Sequence, residues 1–95
     1  MQIYFPYPSD KQNKKYYIIT STGKKVYFGQ AKASDFTEHK DVLRKNRYIL
    51  RHYKREHHLW NKSGIDTPSF WSRFYTWNLP TKEASYNYIK RKFLL

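Results

Sequence analysis

The sequence predicts an α+β domain: a β-hairpin packed on about three helices, preceded by an extended N-terminal arm. Two observations carry this. First, Tyr16–Thr20 and Lys25–Gly29 are rich in strand-favouring residues and flank a short turn that contains Gly23. Second, beyond Gly29 apolar and cationic residues recur at three- and four-residue steps, and capping residues stand at Ser34 or Asp35, at Thr67 and at Thr81. Ninety-five residues make one domain with one modest core. Its parts are an arm over 1–14, a hairpin over 15–30 and a helical part over 34–95.

Each element has a local reason. Pro6 and Pro8 hold Phe5 and Tyr7 extended, and Tyr4, Phe5 and Tyr7 give the arm rings to bury. Gly23 supplies the positive φ of the hairpin turn. A lone hairpin is marginal in water, and the Ile3–Tyr7 arm could add a third strand. Asp35, with Glu38 three residues on, predicts the start of a helix that runs to about His58. Phe36, Leu43, Leu50 and Tyr53, widened by Val42 and Ile49, form its apolar stripe, expected to face the core. Asn61–Gly64 ends that helix. Thr67 and Pro68 start an aromatic helix to about Asn78, and Pro80 stops it. Thr81 starts a last helix to about Phe93, with Ala84, Tyr88, Ile89, Phe93 and Leu95 able to face the core.

Composition narrows the function classes. Lys and Arg number 19 against 7 Asp and Glu, a formal net charge of +12. Such an excess favours a polyanionic partner: nucleic acid first, then an acidic protein surface or an anionic membrane. The chain has no cysteine, which excludes disulfides, zinc-thiolate sites and thiol catalysis. No apolar run is long enough for a transmembrane segment. The N-terminal residues lack the pattern of a signal peptide, so an intracellular setting is expected.

Four constellations carry the functional reading. Lys40, Arg44, Lys45, Arg47, Arg51, Lys54 and Arg55 fall on the basic helix and cover roughly 22 Å at helical rise. A solvated helix face usually balances Lys with Glu; here only Asp41 and Glu56 oppose these cations. Arginine grips phosphate or carboxylate with two parallel hydrogen bonds, so Arg44, Arg47, Arg51 and Arg55 are the expected contacts. Lys14, Lys15, Lys24 and Lys25 form an auxiliary patch. Second, Phe70, Trp71, Phe74, Tyr75 and Trp77 read as core, with base stacking or a subunit interface as the other uses of such rings. Third, His52 and Glu56 stand four apart with His57 and His58 behind them, but no recognised zinc spacing is present, so no metal, cofactor or small-molecule substrate is expected.

Fourth, Tyr16-Tyr17 followed by Tyr27-Phe28-Gly29 resembles the paired tripeptides of the GIY-YIG nucleases. The resemblance covers the hairpin and the start of the following helix. It implies DNA as substrate and a divalent metal. The chain departs from that family where its chemistry lies: Asp35-Phe36-Thr37-Glu38 stands where a catalytic arginine should open the helix, and Glu56 follows too soon to match the metal-binding glutamate. No catalytic residue is therefore expected.

A second resemblance spans most of the chain. Its blocks are Tyr4-Phe5-Pro6-Tyr7-Pro8-Ser9-Asp10-Lys11, Lys14 to Gly29, Ser34-Asp35-Phe36-Thr37, His39-Lys40-Asp41, Arg47-Tyr48-Ile49, Arg51-His52, Lys62-Ser63-Gly64-Ile65-Asp66-Thr67 and Phe70-Trp71-Ser72-Arg73. In these the chain resembles a family of small basic proteins of unknown activity encoded by large double-stranded DNA viruses. The resemblance implies a virion setting: a non-enzymatic structural protein, a minor capsid component that binds viral capsid proteins, double-stranded DNA or both. A free nucleic-acid-binding module is the alternative, and a diverged GIY-YIG-like nuclease a lesser one.

Overall fold

A computed structural model describes all residues from Met1 to Leu95. Three antiparallel strands lie in the order β1-β2-β3: β1 (Tyr7–Pro8), β2 (Lys14–Ile19) and β3 (Lys25–Gln30). The arm does supply the third strand. Tyr7 pairs with Tyr17 and Pro8 with Tyr16, and the Tyr4 N–H donates to the Ile19 carbonyl at 2.9 Å. Proline is tolerated there because β1 is an edge. Tyr16 faces Phe28 and Ile18 faces Val26 across the hairpin. Strand alternation places these four side chains on one face. Gly23 turns the hairpin at φ +86°, with its N–H donating to the Thr20 carbonyl at 2.9 Å.

The predicted long helix is two helices. α1 (Phe36–His39) begins with a full capping box: the Asp35 carboxylate accepts from the Thr37 N–H, and the Glu38 carboxylate accepts from the Asp35 N–H. It ends at Lys40, which adopts φ 56°. Asp41 then caps α2 (Val42–Glu56) through the Leu43 and Arg44 N–H groups. Sequence spacing alone hides this break, because a non-glycine residue in the left-handed region carries no periodicity signal. Single 3₁₀ turns follow at His57–Leu59 and Lys62–Gly64. Next comes α3 (Pro68–Trp71), capped by Thr67, which continues as a π turn over Ser72–Thr76. Last is α4 (Lys82–Ile89), capped by Thr81, which continues as a π turn over Lys90–Leu94.

The aromatic helix is core. Phe70, Trp71, Phe74 and Tyr75 pack with Ile18, Val26, Phe28, Ile65, Ile89 and Phe93 in one cluster. The Trp71 ring lies 5.9 Å from Phe28, and its indole N–H donates to the Ile65 carbonyl at 2.8 Å. Two expected core faces need correction. On α4 the buried line is Ser85, Ile89 and Phe93, at four-residue steps, while Leu95 is 90% exposed. On α2 the apolar stripe does not face the core: Leu43 is 66% exposed and Leu50 76%, and only Tyr48 is buried. The left-handed residue between the helices is the physical reason. Phe36 is buried on α1. The turn at Lys40 breaks the helical phase, so the side chains that would continue its stripe on α2 point elsewhere.

Candidate polyanion-binding site

α2 meets the domain through a ring stack. Tyr48 lies on Trp77 with centroids 4.5 Å apart and planes 4° from parallel, and His52 stacks on the other side of Tyr48 at 4.1 Å. Burial pushes the Tyr48 phenol well above its ordinary range. Glu56 completes the attachment. Its carboxylate accepts from the Ser69 hydroxyl at 2.6 Å, and Ser69 Oγ accepts from the Trp60 indole N–H at 2.9 Å. His52 Nε2 lies 3.9 Å from the same carboxylate. Glu56 thus serves as a structural acceptor between α2 and α3.

This mounting turns one cationic side of α2 toward the connector between β3 and α1. Between them lies an open notch of about 450 Å³, lined by Lys32, Ala33, Ser34, Arg44, Arg47, Arg51 and Trp77. The arginines stand at i, i+3 and i+7, one side of a helix. No carboxylate lies within 4.0 Å of any of them; the ion pairs of the chain involve Lys15, Lys25 and His52. Guanidinium groups carry their charge at every accessible pH and offer paired N–H donors. The notch is therefore lined by positive charge, with Ser34 and Trp77 beside it. It suits an anion with several oxygens. A neighbouring groove of about 390 Å³ shares Ala33, Ser34, Arg51 and Trp77 and leads to Lys14. The carboxylates in that groove are occupied: Asp35 by Lys15 and the α1 cap, Glu56 by Ser69.

The remaining sequence candidates scatter. Lys14 and Lys25 sit at opposite ends of the hairpin, five residues and about 17 Å apart along β2, so the auxiliary lysines form no single patch. Lys25 lies 3.9 Å from Asp10 and over the Tyr17 ring. Lys15 is turned inward, with Nζ 2.8 Å from Asp35 Oδ2 and in contact with Glu38. Burial alone would lower its pKa, but the hydrogen bonds to Asp35 and Glu38 outweigh that and raise it. Lys45 is half-buried over Phe36, and burial lowers its pKa. Lys40 donates to the Thr37 carbonyl at 2.9 Å and closes α1. Lys54 and Arg55 are exposed on the last turn of α2, outside the notch. Sequence reasoning missed Lys32, Ser34 and Trp77. Trp77 was legible as an aromatic residue, but nothing in the order of residues brings the 31–34 connector against α2.

The Lys15 cluster has a pH consequence. Its hydrogen bond to Lys15 holds the Glu38 carboxyl below its ordinary value of 4.5. A depressed carboxylate contributes stability above its unfolded pKa and loses it as pH falls through the folded one. Glu38→Gln keeps the capping acceptor but removes the charge. Because Glu38 is half-exposed, we expect a loss of only about 0.5 kcal/mol at pH 7. The difference from the parent should close on acidification well below pH 4.5. Urea midpoints of both proteins at pH 7 and pH 3 check this; a constant difference would show that the charge is not what Glu38 contributes.

Residues 7–52 match the model of a family of unknown function, DUF5754. The match runs from β1 to the third turn of α2. It includes Lys32, Ser34, Arg44, Arg47 and Arg51, and it stops before Trp77 and the aromatic core of α3 and α4. No curated protein and no solved structure matches the chain.

Proposed function

We propose that the protein is a non-enzymatic structural protein of a large DNA virus, a minor component of the particle, whose notch holds phosphates of double-stranded DNA. The observation that carries this reading is the convergence of Lys32, Arg44, Arg47 and Arg51 with no carboxylate beside them. Duplex DNA carries one negative charge per about 1.7 Å of axis, so a helix of about 22 Å can meet several phosphates. The net charge of +12 draws the whole domain toward such a polymer. The viral setting rests on the resemblance of the sequence blocks from Tyr4 to Arg73 to small basic proteins of large DNA viruses.

The test is binding to a short duplex across a salt series, with the notch cations removed in a parallel variant. A steep salt slope that flattens in the variant supports the reading, and salt-indifferent or variant-indifferent binding sinks it. A free nucleic-acid-binding module would give the same slope. Retention in purified particles after a high-salt wash separates the two, since a structural component should stay with the particle.

A further inference from the structure

α2 carries an exposed apolar stripe interrupted by one polar residue. Val42 is 58% exposed, Leu43 66%, Leu50 76% and Tyr53 52%. Ile49 is half-buried beside them, and Asn46 lies exposed at the middle of the stripe. The spacing 42, 43, 46, 49, 50, 53 is the three-and-four pattern by which a helix seats in a groove. A fifteen-residue helix that buries one tyrosine while exposing its leucines and valine is not explained by its own fold. Contiguous exposed apolar surface of this kind marks an interface.

We infer that this stripe docks an acidic protein surface: an apolar groove or helix face edged with carboxylates. The inference shares α2 with the DNA reading but rests on other side chains: at about 100° per residue the middle of the stripe lies roughly 130° round the helix from the middle of the three notch arginines, with Arg47 at the edge they share. Charge selects the partner. The stripe carries no acid of its own, and Arg47 and Lys54 border it. The one carboxylate within α2, Glu56, is held by Ser69. A second copy would bring a further +12 and the same cationic border. Asn46 argues against lipid. A side-chain amide pressed into hydrocarbon loses its hydrogen bonds, whereas a protein groove can supply them.

The probe is a fluorescent, stapled helical peptide with a leucine stripe edged by glutamates. It is compared with a scrambled peptide of the same composition. Anisotropy titrations use the full chain and the variant Leu43→Ser/Leu50→Ser, whose sites are exposed and leave the core intact. We expect the ordered peptide to bind, the scrambled one to bind at least tenfold more weakly, and the variant to lose at least tenfold. The variant should bind duplex DNA within about twofold of the parent, since neither leucine lines the notch. A full chain that binds the ordered peptide but shows no notch-dependent binding to duplex DNA would remove the DNA reading and leave this one standing. Equal binding of the two peptides, or no effect of the variant, overturns it. So does a dimer, seen by sedimentation, that the variant dissociates. So does partition onto phosphatidylserine vesicles that the variant abolishes while peptide binding persists.

Discussion

Replacing Lys32, Arg44, Arg47 and Arg51 together with alanine is expected to weaken binding to duplex DNA by on the order of a hundredfold or more at physiological salt, and to reduce the slope of log K against log [salt] by up to about 3.6. The arithmetic follows from counterion release. Each neutralised phosphate contributes about 0.9 to the slope, so four lost contacts account for the full change. The substitutions should leave the fold intact. All four side chains lie outside the core cluster and outside the ion pairs, and alanine favours the helix at 44, 47 and 51. Arg55→Ala is the informative comparison. It removes one unit of the same charge from the same helix, outside the notch. If binding is only a matter of net charge, Arg55→Ala and each single notch variant should cost the same. If the notch organises the contact, Arg51→Ala should cost several-fold more than Arg55→Ala. Anisotropy of a labelled duplex at three or more salt concentrations reads both quantities.

What the order of residues revealed, and what it concealed, divides along a physical line. Local chemistry was legible. The hairpin turn at Gly23, the capping box of Asp35 and Glu38, the caps at Thr67 and Thr81, and the burial of Phe70, Trp71, Phe74 and Tyr75 all follow from neighbouring residues. Phase was not. Lys40 in the left-handed region separates two helices that share one apparent period, so Phe36 is buried while Leu43 and Leu50 are exposed. The arginines were visible as a cationic side of a helix. Their neighbours were not: Lys32 and Ser34 come from a connector without periodicity, and Trp77 reaches them through tertiary packing on Tyr48 and His39. A cationic helix face is a sequence property, whereas a cationic notch requires the tertiary packing that closes its other wall.

Gly64→Ala is expected to cost about 3 kcal/mol of stability, near the upper end for overpacking, and so to lower the melting temperature by about 15 °C for a domain of this size. Gly64 has an ordinary backbone conformation, so its need for glycine comes from space. A Cβ built there would lie 1.9 Å from the Leu59 carbonyl oxygen and 2.6 Å from its carbon, both main-chain atoms that no rotamer change can move. Relief requires the 57–67 segment to shift, and that segment is tied down at successive residues. The Gly64 carbonyl accepts from Thr67 Oγ1 at 2.6 Å and the Ile65 carbonyl from the Trp71 indole. Asp66 accepts from the Tyr4 hydroxyl of the arm at 2.6 Å. One methyl group thus strains the cap of α3, the seat of the largest core ring and the anchor of the arm together. Gly23→Ala is the control. Gly23 has φ +86° but nothing within 4 Å of a Cβ, so it should show only the conformational cost of about 1–2 kcal/mol. Thermal and urea unfolding of both variants separate steric from conformational demand; a Gly64→Ala protein no less stable than Gly23→Ala would mean that the segment from Leu59 to Thr67 follows another path.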